Sequence, residues 1–405
     1  MPSAVTASSR ARRAAALQPS ATLAMVARAS ALRAAGEEIF ELTAGEPDFR
    51  PPAAAEEAAI AAIHAGLGRY TQAAGLPELR AAAARHIAAD HRLEYAANEV
   101  VVTPGAKLGI CQALMLLVDP GERVLIPSPF WTSYPEMVRI AEGVPVLVPC
   151  DAGNLPRVAD LDAACTLGTV ALMLNTPGNP TGAVYPRERL AEIGAWAVER
   201  GLWLISDEIY ASLVYGNAQH VSPIAAAPGL RDRAIFVGGM SKAYAMTGWR
   251  MGFVAAPAAV ARGIADLQSQ LASSPPAISQ YASLAALEHG GAERAAMRQA
   301  FEARRDLVVR AIGQMPALAC AEPQGAFYAF PRLRPEWQGR RDPVSGRTIA
   351  TGDDFAELLL ELDRVVTIGG SAFGDPTAFR ISFAAADAVL VEALQRIAAR
   401  LETLA

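Results

Sequence analysis

The chain has 405 residues, is 52% apolar and carries a net charge of −5. That length gives about two to three domains with full cores and excludes a chain disordered throughout. No apolar run reaches the roughly 18 residues of a membrane span, and no long basic run exists, so neither membrane nor nucleic acid is an expected partner.

The first 36 residues lack any acid and carry Arg10, Arg12, Arg13, Arg28 and Arg33. This resembles the composition of a transit peptide. The whole chain is alanine-rich, however, so a cytoplasmic location is expected. Cys111, Cys150, Cys165 and Cys320 are far apart and form no Cys-x-x-Cys pair, which predicts reduced thiols and no zinc site. His86 and His91 are five apart and are expected on different helix faces. No metal is expected.

From about residue 53 to 255, short apolar runs alternate with longer amphipathic stretches. Strands are predicted at Val100–Val102, Arg123–Ile126, Val144–Val148, Thr169–Leu174, Leu202–Ser206, Ala234–Gly238 and Gly252–Ala255. Helices are predicted at Lys107–Val118, Thr132–Ala141 and Pro186–Arg200. Strands spaced by helices imply βαβ units and a mainly parallel sheet. Beyond residue 257, long helical patterns cover 258–271, 277–289 and 292–314. Strand-like pieces follow at Ala326–Phe330, Val365–Ile368 and Phe379–Ser382, then a helix at Asp387–Leu401. The polar stretch Arg332–Gly352 reads as a surface loop.

Four of these junctions carry chemistry. Lys242 follows a strand, where lost hydration lowers a lysine's pKa and frees a nucleophilic amine; its other reading is a solvated loop residue. Arg250, eight positions later, can fork onto a phosphate. Asp207 ends the strand Leu202–Ser206 and either pairs with a buried cation or caps a turn. Pro177–Gly182 is a turn that aims Asn179 at the same sheet edge. Thr103–Lys107 opens a helix whose first amides suit a phosphate.

Seven stretches together resemble fold-type I pyridoxal-phosphate enzymes of the aspartate aminotransferase family (class I/II aminotransferases). They are Leu42–Phe49, Arg69–Tyr70–Thr71 with Gly75–Arg80, Pro129–Pro135, Asn179–Gly182, Ser206–Tyr210, Ser241–Arg250 and Phe379–Phe383. They occur in the family's order and cover about residues 17 to 400. The resemblance implies an α/β fold: a large, mostly parallel-sheet domain and a smaller α+β domain built from both termini. Residues 1–45 would form an arm and part of the small domain, 46–290 the large cofactor-binding domain and 291–405 the small one.

The resemblance also implies roles. Lys242 matches the lysine that anchors pyridoxal 5'-phosphate as a Schiff base and then moves the substrate's proton. Asp207 matches the carboxylate on the pyridinium nitrogen. Tyr210 and Asn179 match the groups on the phenolic oxygen, and Trp131 the aromatic stacked on the ring. Gly105, Ala106, Lys107, Ser241 and Arg250 would hold the phosphate. Tyr70 would reach it from the other subunit of a homodimer with shared active sites. Arg380 and Gly45 match the binding site of the substrate α-carboxylate.

The implied reaction is transamination from an L-amino acid to a 2-oxo acid through ping-pong half-reactions. Lys107 matches a lysine that meets an acidic substrate's distal carboxylate in prokaryotic-type aspartate aminotransferases. Pro19–Thr22 is similar to the segment that closes over substrate there, with Thr22 beside the substrate. Aspartate or glutamate with 2-oxoglutarate is therefore expected.

There are departures. Gly105–Leu108 replaces Gly-Gly-Lys-Gln. Gln18 stands where prephenate-using members carry lysine. Gly239 replaces a hydroxyl residue, and Thr367–Gly370 replaces a Val-Pro-Gly stretch. An aromatic or neutral amino acid aminotransferase, or a lyase on the same scaffold, stays open. A transcription regulator is not expected, because about 40 residues before the core are too few for a helix-turn-helix module.

Overall fold

The computed structural model describes residues 11–18 and 21–404, without the side chains of 12, 13 and 21–23. Pro19 and Ser20 lie outside the described residues, as does the side chain of Thr22, whose backbone falls in the helix Ala21–Ala34.

A seven-stranded sheet organises the chain. Its order is Val100–Thr103, Gly252–Ala255, Ala234–Gly239, Trp203–Asp207, Thr169–Asn175, Arg123–Ser128 and Val144–Pro149. Neighbouring pairs from Ala234–Gly239 to Val144–Pro149 are parallel, and only Gly252–Ala255 runs against its two neighbours. The reason is local. Ala234–Gly239 reaches Gly252 through a short link, with no crossover helix to return the chain, so the next strand must run antiparallel. Helices cover both faces, which is why these strands read as apolar runs. The two faces form separate apolar clusters, one centred on Phe236 and Trp196, the other on Ile126 and Val254.

A further cluster joins Phe40 and Leu42 to Phe301, Phe327, Phe355, Phe379 and Leu394. The strand Phe40–Glu41 pairs in parallel with Val365–Val366, so the segment before the sheet is stitched to the C-terminal part. Phe379–Ser382 pairs antiparallel with both Tyr328–Ala329 and Ile368–Gly369.

Several sequence expectations need correction. The strand expected over Ala326–Phe330 is confined to Tyr328–Ala329. That expected over Val365–Ile368 splits into Val365–Val366 and Ile368–Gly369, which pair with different partners. Arg332–Gly352 is more than a loop. It contains Arg332–Leu333, paired with Leu318–Ala319, and a small hairpin of Arg340–Arg341 with Thr348–Ile349. Asp342 in that hairpin is wholly buried, because Ser345 and Arg400 satisfy its carboxylate. His86 and His91, expected on different faces, approach edge-on at 6.3 Å. Both lie in the C-terminal half of one helix, Pro77–His91, with His91 against Phe236 and His86 against Phe253.

Phe301 is fully buried, stacked on Phe327 and edge-on to Phe49, each at 5.3 Å. Phe301→Ala is expected to lower the unfolding free energy by about 3–5 kcal/mol, read from urea denaturation.

Candidate active site

The parallel strands deliver their carboxyl ends to one edge, where a cavity of about 520 Å³ opens. It is lined by Ala106, Lys107, Trp131, Asn179, Asp207, Tyr210, Ser241, Lys242 and Arg250 among others. The chain has only two lysines, Lys107 and Lys242, and both line this cavity. A larger open cleft of about 790 Å³ beside Cys150, Cys320 and Arg334 contains none of the candidate site residues named from the sequence.

Asp207 closes the strand Trp203–Asp207 and is buried. The Tyr134 hydroxyl donates to its Oδ2 at 2.6 Å, and the Ile209 amide to its Oδ1 at 3.2 Å. Burial nevertheless dominates and pushes its pKa up to about 6. Asn175 ends the adjacent strand and ties two loops together: its Nδ2 donates to Asp207 O, and its Oδ1 accepts from the Asn179 amide.

Lys242 sits on the short helix Met240–Ala243 directly after Ala234–Gly239. Its Nζ donates to the Gly45 carbonyl. Burial lowers its pKa to about 8, against the pull of Glu46 and with the help of Arg250 and Arg380. Gly45 thus meets Lys242 through its carbonyl. The loop carrying it is pinned by a bidentate pair between Arg304 and Asp48 at 2.7 and 2.9 Å.

Arg250 reaches the start of the helix Ala106–Leu117, whose first amides have no side-chain cap. Gly105 (φ +87°) spends its own amide on the Thr103 carbonyl, so its contribution is space: a Cβ there would overlap the Arg250 guanidinium. At Gly239 a Cβ would lie 2.9 Å from Gly252 Cα, which explains why no hydroxyl residue stands at that position.

Arg380 is buried just behind the lining. Its Nη1 donates to Asn179 Oδ1 at 3.0 Å and its Nη2 to the Thr43 carbonyl at 2.9 Å, while its buried Nε has no partner. With Oδ1 engaged, Asn179 keeps its Nδ2 protons for other acceptors. The Tyr210 hydroxyl lies 3.1 Å from that of Tyr328. Trp131 forms one wall, edge-on to Tyr134 at 5.3 Å, with Lys107 Nζ 4.8 Å from its ring centre.

Tyr70 is not among the lining residues; it is 88% exposed. Sequence reasoning assigned no role to Glu46, Tyr134, Asn175 or Thr247, all of which line the cavity. Thr247 donates to Glu46 at 2.8 Å. Glu46 and Tyr134 lay within stretches already singled out, but nothing local marks a tyrosine as a carboxylate's partner.

The sequence model of the family described as aminotransferase class I and II matches residues 37–397. The chain is 43% identical to an aspartate aminotransferase of Streptomyces avermitilis, over 94% of each chain. It is 40% identical to one of Geobacillus stearothermophilus, over 96% of this chain and 97% of that one. The crystal structure of the aspartate aminotransferase from Rhizobium meliloti superposes with a TM-score of 0.94 at 40% identity, covering 98% of this chain and 99% of that one. That of Thermus thermophilus with maleate gives 0.89 at 38% identity, over 96% and 99%.

The raised pKa of Asp207 has a sign that can be measured. Its native value of about 6 lies above the unfolded value of 3.8, so above the native value the ionised, buried carboxylate costs stability. Cofactor-free Asp207→Asn is expected to be more stable than the parent by about 2–3 kcal/mol near pH 8, with the gain vanishing towards about pH 4. Denaturant titrations across that range check it.

Proposed function

The chain belongs to the class I and II aminotransferases, and we propose that it moves the amino group of aspartate or glutamate to 2-oxoglutarate. We further propose a cytoplasmic homodimer in which Tyr70 serves the partner's site. Enzymes of this family use pyridoxal phosphate, and the cavity fits it. A carboxylate, two hydrogen-bonding groups, an aromatic wall, a lysine and an uncapped helix start beside a guanidinium converge there, with a glycine where a Cβ would overlap that guanidinium.

Pyridoxal phosphate supplies an aldehyde that takes up the amino group and a ring that withdraws the electron pair released at the substrate α-carbon. In this reading Lys242 holds the aldehyde until substrate arrives. Its amine, with a pKa near 8, would then be placed to take the proton from the substrate α-carbon and to give it back. Asp207 accepts the ring N–H. Its elevated proton affinity is repaid there by a cationic partner. Asn179 Nδ2 and the Tyr210 hydroxyl would donate to the phenolic oxygen. Arg250, Ser241 and the amides of Ala106 and Lys107 bind the phosphate. Arg380, with its Nε free, takes the substrate α-carboxylate.

The observation that carries the acidic substrate is Lys107. Desolvation and the neighbouring Arg250 lower its pKa, and its ammonium lies over the Trp131 face at the cavity wall. A distal carboxylate would relieve both strains. The relatives named as aspartate aminotransferases, and the maleate bound to the Thermus thermophilus protein, point the same way.

The homodimer rests on a strip of exposed apolar side chains along Ala53–His64 and the following loop. It comprises Ile60, Ile63, Leu67 and Tyr70. The cytoplasmic location rests on four free cysteines, and no described helix is long and apolar enough to cross a membrane.

Mixing the holoenzyme with single amino acids and following the cofactor spectrum tests the substrate. Aspartate and glutamate are expected to convert the cofactor fastest. Lys107→Ala is expected to slow them about tenfold while sparing neutral amino acids; equal losses would instead mean a damaged phosphate site. Light scattering is expected to return the mass of two chains. Tyr70→Phe is expected to weaken cofactor retention without changing that mass.

A further inference from the structure

Side chains alternate across a strand, so Ser206 and Glu208 point away from the cavity face that Asp207 occupies. The Glu208 side chain is wholly buried there. His91 Nδ1 and His220 Nε2 each approach its Oε2 at 2.8 Å. The hydroxyls of Ser206 and Ser222 donate to its Oε1 at 2.8 and 2.7 Å. A carboxylate has about four lone-pair sites, and all four are taken.

The proton inventory follows from one unpartnered atom. His220 Nδ1 is buried with no hydrogen-bond partner. A proton there would be stranded, so the proton His220 donates to Glu208 sits on Nε2. Burial pushes the Glu208 pKa up, but the hydrogen bonds from His220 and His91 outweigh it, and the carboxylate stays ionised.

These donors come from three places: the strand end itself through Ser206, the loop of His220 and Ser222, and a distant helix. His91 is the last residue of the helix Pro77–His91. Ser222 caps the helix Pro223–Ala226. The Glu208 amide donates to Val237 of the neighbouring strand at 2.9 Å. The turn following Asp207, which leads to Tyr210, is therefore bolted from beneath to a helix, a loop and a strand. None of the clamp residues lines the cavity.

We propose that Glu208 is a positioning residue: held by His91, His220, Ser206 and Ser222, it fixes the turn that carries Asp207 and Tyr210 and so sets how tightly the site grips pyridoxal phosphate. This rests on the reading that Asp207 and Tyr210 hold the cofactor. Glu208, His91 and His220 together are the donor types a metal ion takes. Both imidazole nitrogens, however, lie at hydrogen-bond distance from one oxygen, whereas tetrahedral zinc with bonds of about 2.0–2.1 Å spreads its ligand atoms to about 3.3 Å.

The test compares melting temperatures of each variant, stripped of cofactor and saturated with pyridoxal phosphate. The rise on saturation measures grip. His91→Phe and His220→Leu are expected to shrink that rise by several degrees. His91→Asn places an amide N–H near Nδ1, and His220→Gln places one near Nε2; both are expected to restore most of it. If His91→Phe proves insoluble, Ser222→Ala, which removes a single donor, carries the same comparison.

Equal losses in both forms, leaving the rise intact, would mean a purely structural clamp and overturn the proposal. So would one equivalent of zinc per chain in the purified holoenzyme that disappears in His91→Asn. Asp207→Ala separates the two layers. If it leaves the rise unchanged, the cofactor reading of Asp207 fails; if it abolishes the rise while His91→Phe does not, only the clamp fails.

Discussion

A buried carboxylate at the cavity wall governs this structure. Asp207 ends a central strand with only 4% of its surface exposed, and the low local dielectric penalises its charge. Tyr134 and the Ile209 amide offset part of that cost; a cation bound in the cavity would offset the rest. The surrounding charges obey the same constraint. Lys242 loses basicity through burial, and Arg380 is held on an amide oxygen and a carbonyl. Each is stable only because a specific acceptor stands beside it.

The backbone supplies the rest of the precision. Gly105 and Gly252 let the strand Gly252–Ala255 lie directly against the start of the helix Ala106–Leu117 and let Arg250 reach across. Side chains at either position would separate the helix amides from the guanidinium. The antiparallel strand matters for the same reason: the short return from Ala234–Gly239 keeps Lys242 and Arg250 on one link between two paired strands.

Much of this was legible from the chain alone, and the exceptions are physical. The central strands read clearly because burial on both faces made them continuous apolar runs, and the residues flanking their carboxyl ends had to gather at one edge. Lys242, Asp207, Tyr210, Asn179 and Arg250 were within reach for that reason. The helices Ala53–His64 and Pro77–His91 gave no sharp period, since alanine stands on both their faces. Tyr134 and Asn175 are ordinary residue types that matter only through tertiary approach. Glu208 meets His91 across 117 positions of sequence, a distance no local pattern bridges. The hairpin inside Arg332–Gly352 was hidden by its polarity, because besides Ile349 its buried residue is an aspartate neutralised by Arg400.

The arginine-for-lysine bias of the exterior has an outcome of its own. With Lys107 and Lys242 as the only side-chain amines, acyl phosphates, thioesters and reducing sugars find no sacrificial ε-nitrogen elsewhere on the chain. Side-chain modification of this protein by amine-seeking metabolites is therefore confined to the wall of this one cavity.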